Sequence, residues 1–187
     1  MKRKFIFSIG VENYYDKAIR PVTFAEADAT KIAEALEMHG FEKANQNILT
    51  NGSATKTLVE SQLKSVIKKL QEDDVFYFFY AGHGFSHNGE NYITCHDTRI
   101  AGLPGTSIKL QKLFSALKSS KCKRVVMFLD ACETGMMASA DMRGIYSTLN
   151  ESELDDFFNA AQYHACFSAC KIDEYSYPST DFGHGVW

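Results

Sequence analysis

The run "VFYFFY", residues 75–80, is the most apolar stretch in the chain. A strand with one solvated face alternates apolar and polar residues, so a run apolar on both faces needs cover on both sides. Six short runs have strand-like composition, rich in aromatic and β-branched residues: "KFIFSIGV" (4–11), "NILT" (47–50), "VFYFFY" (75–80), "YITC" (92–95), "RVVMFLD" (124–130) and "HACFSA" (164–169). Three of them are apolar on both faces. Between the runs, apolar residues recur at helical spacing. Ala25, Ala29, Ile32, Ala33 and Leu36 make one face, Val59, Leu63, Val66, Ile67 and Leu70 a second, and Leu110, Leu113, Phe114 and Leu117 a third. A shorter fourth pattern carries Leu154, Phe157 and Phe158. Pro21 and the spacing Thr23-x-x-Glu26 predict a capping box at the first helix. Strands alternating with helices imply right-handed crossovers and an α/β fold with a mostly parallel central sheet and helices on both faces. At 187 residues, one domain over 1–187 is expected.

The 20 basic and 23 acidic residues are interleaved and sum to −3, without the basic stripe of a nucleic-acid binder, so no nucleic-acid partner is expected. The start "MKRKFIFSIGV" has a basic head, but its apolar run stops at Glu12 without a small-residue cleavage site, and it reads as a strand. No segment approaches the roughly 20 apolar residues needed to span a bilayer, so no membrane partner is expected. Five scattered cysteines (Cys95, Cys122, Cys132, Cys166, Cys170) do not form a secreted disulfide framework and suggest a cytoplasmic setting. Cys166-x3-Cys170 lacks the second pair a zinc site needs.

In a mostly parallel sheet, ligands sit beyond the carboxyl ends of the strands. Two such ends carry reactive groups. Gly82-His83-Gly84 follows "VFYFFY", and "DACETG" (130–135) closes "RVVMFLD". If the two strands are neighbours, His83 and Cys132 face one another across a shared cleft. A thiol becomes a competent nucleophile as its thiolate, and a nearby histidine provides the base. The flanking glycines let the backbone turn sharply and leave N–H groups free, with Gly84 a candidate donor to the oxyanion of an acyl-transfer intermediate. Taken singly, a cysteine after a core strand is an ordinary small buried residue, and a strand-end histidine is ordinarily structural. It is the pair at two strand ends that points to chemistry.

"AGHG" (81–84) and "DACETG" match the Ser/Ala-Gly-His-Gly and Asp-x-Cys-x-x-Gly boxes of caspase-like (clan CD) cysteine peptidases, and the chain resembles metacaspases and bacterial caspase-like proteins most. The resemblance runs from Phe5 to Trp187. It implies a three-layer caspase-like fold of six core strands, with the last strand and helix beyond this chain. It also implies a cysteine endopeptidase with a His83–Cys132 dyad. Caspases that cut after aspartate carry an arginine after a Ser-Trp pair; the matching stretch here is Ser176-Tyr177-Pro178, so Ser176 and Tyr177 become substrate-binding candidates and an aspartate pocket is disfavoured. Metacaspases that cut after arginine or lysine use acids, which match Asp130 and Asp28. Two carboxylates at a pocket floor favour a guanidinium or ammonium. The serine that often precedes Gly-His-Gly is Ala81 here. The bland reading of Asp28 is a first-turn carboxylate facing the helix dipole.

The second triplet, Gly183-His184-Gly185, follows a polar loop and stands before what reads as a helix start, so His83 is the expected base. The stretch "GMMASADMRGIYSTLNE" (135–151) reads as an exposed loop with Arg143 as a self-cleavage candidate. No cofactor is expected. Calcium activation occurs in metacaspases, and Asp97 is a candidate ligand without a clear surrounding site. The expected partners are a protein or peptide substrate with a basic residue before the cut, and a regulatory or sensor domain or partner chain. Two other readings stand beside the protease: a catalytically silent docking module, and a nucleotide-binding α/β protein, for which no phosphate loop is present.

Overall fold

The structure, a computed structural model, describes residues 2–131, 145–146, 164–168, 177–179 and 184–186. In chain order the strands are β1 (Lys4–Gly10), β2 (Gln46–Thr50), β3 (Val75–Ala81), β4 (Gly84–His87), β5 (Glu90–Ile93), β6 (Ile108–Lys109), β7 (Arg124–Asp130), β8 (Ile145–Tyr146), β9 (His164–Ser168), β10 (Tyr177–Ser179) and β11 (His184–Val186). The helices are α1 (Ala25–Glu37), α2 (Lys56–Lys69) and α3 (Leu110–Lys118).

Five of the six apolar runs form one parallel sheet in the order β2-β1-β3-β7-β9. The sixth does not. Tyr92 and Ile93 belong to β5, which pairs antiparallel with β4 and β6 in a separate sheet ordered β6-β5-β4-β8. The reason is local: Asn88 (φ 53°) and Gly89 (φ 77°) form a two-residue turn that folds β5 directly back on β4. A parallel pairing would need a crossover of a dozen residues or more.

The parallel sheet is covered on both faces. On one side Phe5, Phe7 and Ile9 of β1, Phe76, Phe78 and Tyr80 of β3, and Val125, Met127 and Leu129 of β7 pack under Val59, Leu63 and Val66 of α2 and Leu113, Phe114 and Leu117 of α3. Phe7, Phe76 and Phe78 are fully buried, and each such side chain contributes about 1.5–3 kcal/mol. On the other side the fully buried residues of α1 are alanines: Ala25 and Ala29 meet Phe79 and Ala81, and Ala33 meets Ile6 and Phe41, with the half-buried Ile32 and Leu36 packed beside them. Small residues let α1 lie close. A Cβ at Gly10 would sit 2.3 Å from the Ala25 carbonyl oxygen, and the buried Ser8 hydroxyl donates to the Ala29 carbonyl at 2.6 Å.

The capping box expected at Thr23 and Glu26 is not formed. The N-cap is Phe24, in the left-handed region at φ 70°, with no side-chain cap. Glu26 is engaged elsewhere: its carboxylate accepts from the Thr50 hydroxyl at 3.1 Å and from Asn51, tying α1 to the end of β2. The order β2-β1-β3 means that the chain leaves β1 in one direction and returns for β3 on the other side. The loops after β1 and β3 diverge there, the place where sheets of this kind bind ligands.

Candidate active site at the strand ends

β3 and β7 are adjacent and in register, with Ala81 opposite Asp130. The Gly82 N–H donates to the Asp130 carbonyl at 3.0 Å, so the two loops leave the sheet together, about 4.8 Å apart as neighbouring strands are. His83 stands two residues past Ala81 on one side, and Cys132 two past Asp130 on the other. Cys132 lies outside the described residues; its predecessor Ala131 is buried. The structure thus brings together the two strand ends that the sequence singled out, and follows the second to within one residue of the thiol.

His83 is only 2% exposed. Its Nε2 lies 2.8 Å from the Arg20 carbonyl oxygen. A carbonyl only accepts, so Nε2 carries the proton and Nδ1 keeps the lone pair. The loop after β1 that supplies this carbonyl is itself pinned. Val11 N–H donates to the Ala81 carbonyl, Tyr15 N–H to the His96 carbonyl, and the Asp16 carboxylate accepts from Ala18 and Ile100 N–H. The Tyr14 ring stacks on the imidazole, centroids 5.4 Å apart. Burial lowers the His83 pKa to about 4; the bond to the Arg20 carbonyl works against this, and the positive charge of Arg20 adds to it. The imidazole is therefore neutral near pH 7, with Nδ1 unprotonated.

The glycines on either side do different work. A Cβ at Gly82 would fall 2.4 Å from the Tyr80 hydroxyl and 3.3 Å from that of Tyr14, so only glycine fits there. Gly84 is not loop, as the sequence suggested, but the first residue of β4, opposite Ile93. Thr94 N–H donates to the His83 carbonyl, which makes His83–Thr94 a hydrogen-bonded pair and Gly84–Ile93 the alternate kind. The Gly84 N–H accordingly points away from β5.

Asp130 shares a sheet face with its register partner Ala81, which packs on Ala25 and Ala29 of α1. Asp28 stands in the first turn of the same helix. Both acids are half-buried on the α1 side of the sheet, at its carboxyl edge. Tyr177 lies in β10, paired with Val186 of β11. Ser176 and Arg143 lie outside the described residues, as does the fourth helical pattern around Leu154. Two residues of the stretch read as a loop, Ile145 and Tyr146, instead form β8 against β4. The segment at His184 is likewise a strand and not a helix start: His184 pairs with Ser179 because β10 offers it a backbone partner.

The Asp97 carboxylate is committed to α2, accepting the Lys56 N–H at 2.8 Å in that helix's first turn. Among the described residues no three of His, Cys, Asp and Glu cluster as metal ligands. Nor is any described helix long and apolar enough to cross a membrane. Three contributors to the site were missed in the sequence: Tyr14, Thr94 and the carbonyl of Arg20. Tyr14 stood in an unremarkable polar stretch, Thr94 inside the apolar run "YITC" with nothing to mark its hydroxyl, and a backbone carbonyl has no sequence signal at all.

Comparison with known proteins gives the same architecture. The structure superposes on protein GSU0716 of Geobacter sulfurreducens with a TM-score of 0.67 at 17% identity, covering 98% of this chain and 78% of that one. It superposes on a structure described as pro-sf-caspase-1 with a TM-score of 0.52 at 15% identity, covering 76% of this chain and 50% of that one. At such identities the likeness is one of fold. No curated protein sequence matches the chain. The sequence model of the caspase domain matches residues 3–183, a span that includes both strand-end boxes, and the chain therefore belongs to the caspase-domain family of cysteine peptidases.

Proposed function

We propose that this domain is a cysteine endopeptidase in which His83 is the general base for Cys132. The observation that carries the reading is the His83 ring itself: buried, with Nε2–H on the Arg20 carbonyl at 2.8 Å, at the strand end next to the one that leads into Cys132. Nδ1 takes the thiol proton as sulfur attacks the carbonyl carbon of a peptide bond. The Gly84 N–H, with that of Cys132, holds the oxyanion. The imidazolium then protonates the departing amine, leaving a thioester. Water, deprotonated by the same Nδ1, releases the acid and restores the thiol.

The substrate residue before the cut is arginine or lysine in this reading. Asp28 and Asp130 support it, two half-buried carboxylates on the same face beside the dyad strands. A cation held between them gains charge-assisted hydrogen bonds, whereas a substrate aspartate meets like charge. Self-cleavage at Arg143 follows from the same preference, and no metal takes part in any step. In the same reading the protein works in the cytoplasm, regulated through an attached domain or partner chain.

The test is a panel of fluorogenic peptides differing only in the residue before the cut, assayed with chelator and with added calcium. Arg and Lys peptides should be cleaved, equally in both conditions, and Cys132→Ala should abolish turnover. Asp130→Asn should raise KM for the basic peptides. Preference for Asp would overturn the pocket, and turnover by Cys132→Ala would overturn the dyad. A docking module would cleave nothing.

A further inference from the structure

Beneath His83 lies a buried set of hydroxyls that the dyad itself does not require. The His83 N–H donates to the Tyr14 hydroxyl at 3.0 Å. The Tyr14 and Thr94 hydroxyls are 2.9 Å apart. The Thr94 hydroxyl donates to the His83 carbonyl at 2.9 Å. With the Thr94 proton on the His83 carbonyl, Tyr14 donates to Thr94, whose Oγ1 also lies 3.0 Å from the Tyr80 hydroxyl. The bonds then run in one closed circuit, from His83 N–H to Tyr14 to Thr94 and back to the His83 carbonyl. The Tyr80 hydroxyl, 3.0 Å from the Thr94 carbonyl and 2.8 Å from the His83 carbonyl, braces the circuit from below. Tyr14, Tyr80 and Thr94 are all buried.

We infer that Tyr14 and Thr94 are positioning residues that hold the His83 backbone at both of its polar groups and so aim its imidazole. The circuit fixes the peptide groups on either side of the Cα, and the stacked Tyr14 ring with the Arg20 carbonyl then fixes the side chain. The two controls share one residue, because Tyr14 supplies both a hydroxyl to the main chain and a ring face to the imidazole. The narrow space at Gly82 follows from the same packing, since the hydroxyls of Tyr80 and Tyr14 occupy the volume a Cβ would need. Chains of buried hydrogen bonds polarise one another and leave little freedom when fully satisfied. The inference rests on the reading of His83 as the base, and its test must separate the two.

The experiment compares wild type with Tyr14→Phe, Thr94→Val and Thr94→Ser, each checked for cooperative melting. Two readouts are taken. The first is the ¹⁵N spectrum of the His83 ring across pH, which needs no turnover. In wild type the Nε2–H tautomer should be the only one and the ring should titrate near about 4. In Tyr14→Phe, which keeps the ring face and loses the hydroxyl, both tautomers should appear and the titration should move up toward the ordinary value. Among the described residues the charged and titratable groups facing the ring are the Arg20 cation and the Tyr14 phenol, pushed up to about 12 by burial, so the phenol stays protonated and adds no charge of its own; the Cys132 thiol of the proposed dyad is the other titratable group, and the spectra are therefore taken in the Cys132→Ala background as well. The second readout is peptide cleavage: kcat should fall about 10- to 100-fold in Tyr14→Phe and Thr94→Val with KM little changed, as small misplacements of a catalytic group do. Thr94→Ser should restore it. An unchanged tautomer and titration in Tyr14→Phe overturns the inference, as does wild-type kcat. If wild type itself cleaves nothing, the dyad reading fails, while the ring spectra still decide whether Tyr14 and Thr94 aim the imidazole.

Discussion

Acid should destabilise this protein through His83 in a way that can be worked out beforehand. The ring titrates at about 4 in the fold and at the ordinary 6.5 in the unfolded chain. Between those values the unfolded state binds more protons than the folded one, so stability rises with pH across the window and is lost as pH falls through it. The loss begins below about pH 6.5, reaches about 2 kcal/mol near pH 5, and levels off below about pH 4 at roughly 3 kcal/mol, at 1.36 kcal/mol per tenfold. His83 is 2% exposed, so solvent screening takes little from this figure. His164 also titrates low through burial and adds a change of the same sign, which calls for a difference measurement. Urea unfolding is followed from pH 7 to pH 4.5 in Cys132→Ala, which lacks the proposed nucleophile, and in Cys132→Ala with His83→Gln, whose amide N–H can still donate to Arg20. The protein that keeps His83 should lose about 2 kcal/mol more than the one carrying His83→Gln. Parallel loss in the two proteins would refute the claim that the imidazole is buried and neutral.

Two further outcomes follow from packing and ion pairing. Gly10→Ala should lower stability by about 1–3 kcal/mol in thermal melts, because its Cβ would meet the Ala25 backbone oxygen at 2.3 Å and α1 would have to move; an unchanged midpoint would mean that helix and sheet are not in contact there. Asp74→Ala should cost about 1–3 kcal/mol in urea titrations: the carboxylate is 2% exposed and accepts from Arg3 Nε at 3.1 Å, Arg3 Nη2 at 2.6 Å and Gln71 N–H at 2.7 Å, and of these donors only Nη2 keeps another acceptor, the Lys69 carbonyl, so a neutral result would contradict this tie between the N-terminus and β3.

The parallel sheet and its three described helices were legible because burial on two faces leaves an unmistakable pattern. "VFYFFY" and "RVVMFLD" read as core strands, and the condition that they be neighbours is met by β3 and β7. His83 and Cys132 at matching strand ends pointed to chemistry, and the resemblance of "AGHG" and "DACETG" to the caspase-like boxes carried the reading to a peptidase. The hairpin of β4 and β5 escaped although Asn88-Gly89 is a strong turn signal, because Ser86 and His87 break the apolar alternation that marks a strand. The capping box escaped for a different reason: Glu26 had two competing donors at the end of β2, which no local spacing reveals. Arg20 is the clearest limit. Its contribution is a carbonyl oxygen, which any residue there would supply, and only the path of the loop after β1 brings it to His83.

The central claim is that His83 activates Cys132 toward a substrate with a basic residue. It is tested most directly by intact-mass measurement after incubation with a peptidyl acyloxymethyl ketone bearing arginine. Wild type should gain one adduct, mapped to Cys132, at least about 100-fold faster than His83→Ala, within the range general-base loss produces. An adduct on Cys95 or Cys122, equal labelling of the two proteins, or no labelling of either would contradict it.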